Sequence, residues 1–139
     1  MGYSDSIDYF RFASLGNATD FGDLVTAKGH QPGAVSDSTK GIWGGGTIDG
    51  GVEHNRIDYV TISSLGNATD FGNLHRAQSQ QSACHNNTKG YFHGGYGASS
   101  VYMTNIICYI NMASLGDTTD AGDLTAVQSH TEACSGSAS

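Results

Sequence analysis

SLGNATDFG occupies Ser14 to Gly22, and the same nine residues return at Ser64 to Gly72. A third, altered copy, SLGDTTDAG, runs from Ser114 to Gly122. The spacing is general. Ile7, Ile57 and Ile107 are separated by 50 residues at each step, as are Tyr9, Tyr59 and Tyr109, and Leu15, Leu65 and Leu115. Asp20, Asp70 and Asp120 keep the same step. Where the register slips, it recovers: KGHQPGAVSDSTKG is one residue longer than its counterpart QSQQSACHNNTKG, and the following loop restores the count. Length changes that cancel inside a unit mark surface loops on a constant scaffold. The chain therefore reads as one repeat domain over residues 1–139, with units at 7–56, 57–106 and an incomplete 107–139. A period of about 50 residues belongs to solenoids, propellers or arrays.

Each unit reads as four short strands. IDYVTISS from Ile57 alternates, with Ile57, Tyr59 and Thr61 on one side and Val60 and Ile62 on the other, which predicts a strand covered on both faces. Gly66 and Asn67 predict a tight hairpin turn, as do Gly16 with Asn17 and Gly116 with Asp117. ATDFGNL returns as the partner strand. AQSQQSAC is a weaker strand, and TKGYFHGG, matched by TKGIWGGG in the first unit, is a strong one closed by glycines. Complete units are expected from about Thr26 to Leu74 and from about Ala77 to Leu124, with a lone strand in the closing VQSHTEACSGSAS.

Composition agrees with an all-β protein. The 139 residues include 20 Gly and 1 Pro, and only 14% are charged, which suits short strands and tight turns better than helices. A formal charge of −7 repels phosphate backbones and anionic lipid, so neither nucleic acid nor a membrane surface is an expected partner. No apolar run approaches the roughly 20 residues of a membrane-spanning helix, and the first residues lack the basic start and apolar core of a signal peptide. The three cysteines, Cys84, Cys108 and Cys134, form neither a disulfide framework nor a zinc motif; Cys84 and Cys134, one repeat apart, are expected in the same buried niche.

The glycine pair closing one strand, with Trp43 and Phe92 beside it, resembles kelch-type β-propeller repeats. The longer string, GNATDFGDL with its flanks, is more closely similar to tandem kelch-like repeats of predicted marine bacteriophage (cyanophage) structural proteins. The resemblance covers nearly the whole chain. It implies a kelch-like propeller of four-stranded antiparallel blades, and a place on a virion or outside the cell, in an appendage or a surface-recognition protein. Because the end units are incomplete, two copies are expected to close a ring of roughly six blades, within the usual four to eight. A stacked or filamentous array built on the same edges is the alternative assembly, and a purely structural, self-assembling ring or filament is the alternative role.

No catalytic constellation is apparent. The six histidines make no HxH or HExxH motif, and no GxSxG elbow is present, so an enzyme is not expected. His30 and His130 align by the period, with Gln80 between them, as expected of a solvent-side polar position. Asp20, Asp70 and Asp120 are read as acceptors for backbone N–H groups in each unit, Asp70→Ala costing about 1–3 kcal/mol. Calcium held by Asp20 with Asp23 and Asp120 with Asp123 is the alternative, and no other cofactor is implied. Gly16, Gly66 and Gly116 serve the turns; Trp43 and Phe92 serve packing. Tyr96 and Tyr102, with His93 and Asn105, are the candidate ligand-binding residues, because aromatic faces beside amide and imidazole groups suit a surface glycan or a protein receptor.

Overall fold

The computed structural model describes residues 2–30, 32–97, 102–130 and 132–135. The protein is all-β, and its strands follow the repeat. β1 (Ser4–Tyr9) and β2 (Thr19–Lys28) form a hairpin. Next come β3 (Gly33–Ser36), β4 (Lys40–Gly44), β5 (Thr47–Ile48), β6 (Val52–Glu53), β7 (Arg56–Thr61) and β8 (Thr69–Asn73). The second unit repeats the plan with β9 (Gln78–Ser79), β10 (Ser82–His85), β11 (Lys89–His93), β12 (Tyr96–Gly97), β13 (Thr104–Asn111) and β14 (Thr119–Gln128). Strands β3-β4-β7-β8 make one antiparallel four-stranded sheet and β10-β11-β13-β14 another. Between the second and third strands of the first sheet the chain forms the short β5–β6 ladder; between those of the second lies β12, which pairs back with β9 ahead of β10.

The long hairpins share one register. Ile7 faces Gly22, Ile57 faces Gly72 and Ile107 faces Gly122, and in each the next partners skip a residue, leaving Phe21, Phe71 or Ala121 as a bulge. A bulge inserts one residue and bends the strand locally. The Phe21 ring stands edge-on to Tyr9 and the Phe71 ring edge-on to Tyr59, at centroid distances of 6.0 and 5.8 Å.

The two sheets pack face to face. Val35, Ile42 and Ile57 from the first and Phe92, Cys108, Ile110 and Met112 from the second join Phe71 and Leu74 in one buried cluster. Phe92 is fully buried, and its ring lies so close to Gly33 and Gly44 that a Cβ at either would stand about 3 Å from it. Gly90 gives Val35 the same room from the opposite sheet. Trp43 is half-buried and its ring lies across Gly41. Behind the first sheet, the β1–β2 hairpin covers Asp58, which is fully buried with Lys28 Nζ 2.8 Å from its Oδ2. Burial pushes the Lys28 ammonium below its ordinary range, and the Asp58 carboxylate opposes that shift.

Four expectations need correction. The repeated string is not a tight hairpin: β7 ends at Thr61 and β8 begins at Thr69, and Asn67 has no positive φ. Gly66 does, at +149°, and its loop turns toward the preceding unit rather than closing on itself. The closing segment shows no strand at 132–135, although Ser135 Oγ accepts a hydrogen bond from the His85 N–H; residues 131 and 136–139 of that expectation lie outside the described residues. Val60 is buried but Thr61 and Ile62 are exposed, so cover on both faces ends at Val60. Cys84 is half-buried and Cys134 exposed, so the buried niche expected in successive units holds neither; of the three, Cys108 alone is buried. The described residues form two complete sheets and a hairpin, and no closed ring.

Candidate functional site

The repeated string joins one unit to the next. The Gly66 N–H donates to the Phe21 carbonyl at 2.9 Å and the Ala68 N–H to the Asp23 carbonyl at 2.7 Å. The Asn67 side chain reaches back and accepts from the Asp23 N–H at 3.1 Å. One unit later the geometry returns: Gly116 N–H to Phe71, Thr118 N–H to Asn73, both 2.9 Å, and Asp117 Oδ1 accepting from the Asn73 N–H at 2.8 Å. A Cβ on Gly22 would run into the Gly66 carbonyl, and one on Gly72 into that of Gly116, so glycine is what lets the clasp close. Asp20, Asp70 and Asp120 each accept the N–H of the glycine two residues on, at 3.1, 3.1 and 2.8 Å. All three are exposed, so removing one strands no buried donor, and the cost expected for Asp70→Ala falls to the low end of its range. Among the described residues no group of three or more His, Cys, Asp or Glu side chains gathers around a point that could hold an ion.

A second connection between units runs through the histidine column. His30, Gln80 and His130 hold left-handed backbone, with φ of 52°, 53° and 53°. The Gln80 N–H donates to the His30 carbonyl at 3.1 Å, and the His130 N–H to that of Gln80 at 3.0 Å. This is a strained structural position rather than the indifferent solvent-side one expected from the sequence. The repeat spacing was the only signal for it, since neither Gly nor Asn marks the turn.

The three residues of that column line a cleft of about 530 Å³. Tyr96 and Tyr102 line the same cleft, with ring centroids 5.8 Å apart and planes inclined at 59°. The β9–β12 ladder fixes Tyr96 opposite Ser79, and Tyr102 is largely exposed beside Met103. The half-buried Glu53 carboxylate and the Ser79 and Ser129 hydroxyls complete the polar lining.

Of the four candidate residues, the structure brings Tyr96 and Tyr102 together and leaves the other two outside the cleft. His93 ends β11 opposite Ile107, and Asn105 turns its amide toward the Leu124 carbonyl at 3.5 Å. Burial pushes the His93 imidazole below its ordinary range. His30, Gln80, His130 and Glu53 were missed as a group, because they come from three different units. Ser129 Oγ lies 3.2 Å from His130 Nδ1, but among the described residues no carboxylate is within bonding reach of that imidazole to orient it as a base. The arrangement sets aromatic rings beside one carboxylate and several hydroxyl and amide groups.

No protein-family model matches the chain, and no curated protein matches it.

Proposed function

We propose that the chain is a non-enzymatic binding module built of kelch-like propeller blades, and that its cleft takes a polar, ring-shaped ligand of the glycan class. The paired four-stranded sheets, repeated at 50 residues and packed face to face, support the blade reading. The carrying observation is the Tyr96–Tyr102 pair lining one cleft together with the His30–Gln80–His130 column. A sugar presents C–H groups on its ring faces and hydroxyls at its rim. The tyrosine rings match the first, and Glu53 with the column's polar groups matches the second. By resemblance to bacteriophage repeat proteins the module serves a virion appendage or an extracellular surface, a step that rests on likeness alone.

A glycan array followed by calorimetry on the best binder tests this. Tyr102→Ala is expected to weaken binding about tenfold, equivalent to about 1.4 kcal/mol, without changing the melting temperature. A blank array, or binding indifferent to both Tyr96→Ala and Tyr102→Ala, overturns the reading.

A further inference from the structure

The clasp between units has a donor loop and a receiving edge, and among the described residues one of each is without its counterpart. Leu15 to Ala18 repeats the donor loop, yet all of it is exposed and no N–H or side-chain group in it meets a receiving edge among the described residues. Ala121 to Asp123 repeats the receiving edge in the same bulged register, is likewise exposed, and accepts no donor loop among the described residues. A Cβ on Gly122 would meet nothing within 4 Å, where Gly22 and Gly72 are pressed against a neighbouring carbonyl.

We propose that the first donor loop of one copy of this chain docks on the third receiving edge of a second copy, so that the repeat continues head to tail between molecules. Gly16 N–H then donates to the Ala121 carbonyl, Ala18 N–H to the Asp123 carbonyl, and Asn17 accepts from the Asp123 N–H. The apolar surface agrees. Phe10 is 64% exposed, whereas its repeat partners Val60 and Ile110 are 6% and 2% exposed; Phe12 is 95% exposed, where Ile62 and Met112 are 48% and 0%. Phe10 and Phe12 stand edge-on to each other at 5.3 Å, an exposed apolar face for the preceding unit.

Charge complementarity points to a copy of this same chain. Asn67 meets Asp23 in the first clasp and Asp117 meets Asn73 in the second, so each clasp pairs one amide with one acid. The open pair, Asn17 with Asp123, obeys the same rule. Two carboxylates there would repel one another at close range, in a protein already carrying −7.

Sedimentation equilibrium in 150 mM salt tests the proposal on the full chain. The parent is expected to associate at micromolar concentration, as a closed ring or a growing chain. Asn17→Asp sets two acids face to face and should weaken association at least tenfold. The swapped pair Asn17→Asp with Asp123→Asn, which reproduces the second clasp, should restore it. Both positions are exposed, so unchanged thermal melts confirm that folding is intact. A parent that stays monomeric, an Asn17→Asp variant that associates like the parent, or a swapped pair that fails to recover would each overturn the proposal.

Discussion

The interface between the N-terminal hairpin and the first sheet, and that between the first and second sheets, use the same backbone plan with different chemistry. At the first, Lys28 and Asp58 are buried together as an ion pair. At the second, the equivalent positions hold Gln78 and Cys108, both buried and both uncharged. The Gln78 amide donates to Gln81, whose own amide donates to the Gly44 carbonyl at 2.6 Å. A similar exchange occurs three residues before Ile57 and Ile107. His54 Nδ1 accepts the Arg56 N–H at 3.1 Å, and Thr104 Oγ1 accepts the Ile106 N–H at 3.2 Å. The repeat therefore specifies where a buried acceptor or a polar pair must stand and leaves open whether it carries charge.

The largest expected effect comes from breaking the charged version. Asp58→Ala leaves the Lys28 ammonium buried without its counter-charge, which costs about 3–5 kcal/mol. Attraction inside such a pair only roughly offsets its desolvation, so copying the second interface into the first should be mild. Lys28→Gln with Asp58→Cys is expected within about 1.5 kcal/mol of the parent in urea unfolding. If the double variant is as damaged as Asp58→Ala, the two interfaces are not interchangeable and the comparison fails.

The all-β class, the repeat and most strands were legible from period and alternation, because neighbouring strands within a hairpin report on each other locally. The clasp was not. Its hydrogen bonds join Asp23 to Asn67 and Asn73 to Asp117, and a recurring Gly-Asn looks the same whether it turns a strand or reaches a neighbouring unit. Lys28–Asp58 was hidden for a different reason. Asp8 and Cys108 occupy the equivalent positions of the acid, and Gln78 and Gln128 those of the lysine, so averaging over the repeat erases the pair. In the cleft, Tyr96 and Tyr102 were readable as loop aromatics, while Glu53 became visible only when three units were assembled around it.

A closed clasp and an open one offer the next contrast. Gly72 has φ of +151° and faces the Gly116 carbonyl, so Gly72→Ala combines backbone strain with a steric clash and should cost about 3 kcal/mol. Gly122 has φ of +119° with open space beside it, so Gly122→Ala pays the strain alone, about 1 kcal/mol. Both belong in an Asn17→Asp background, which keeps the third receiving edge empty. Equal losses in chemical denaturation would mean that the carbonyl contact contributes nothing and that glycine is required only for its backbone.

The smallest expected effect separates His54 from Thr104 by pH. Burial pushes the His54 imidazole below its ordinary value of 6.5, and the Lys28 and Arg56 charges push the same way. Its Nδ1 accepts the Arg56 N–H, a role that a proton on that atom would abolish. Between the folded value and 6.5 the unfolded chain binds more protons than the folded one, so stability rises with pH across that window. The contribution is complete above 6.5 and is lost as pH falls through the folded value. His93, pushed down by burial as well, adds to the slope in the same direction. Thr104 fills the equivalent place with a hydroxyl that does not titrate in this range. Replacing His54 with Thr transplants the second unit's solution into the first, and urea midpoints at pH 7.5, 6.5, 5.5 and 4.5 should then fall less steeply than in the parent. The remaining slope should shrink again with His93→Gln. An unaltered slope in His54→Thr would mean that His54 takes up its proton in the folded state as readily as in the unfolded one, and that the backbone bond it accepts does not hold it neutral.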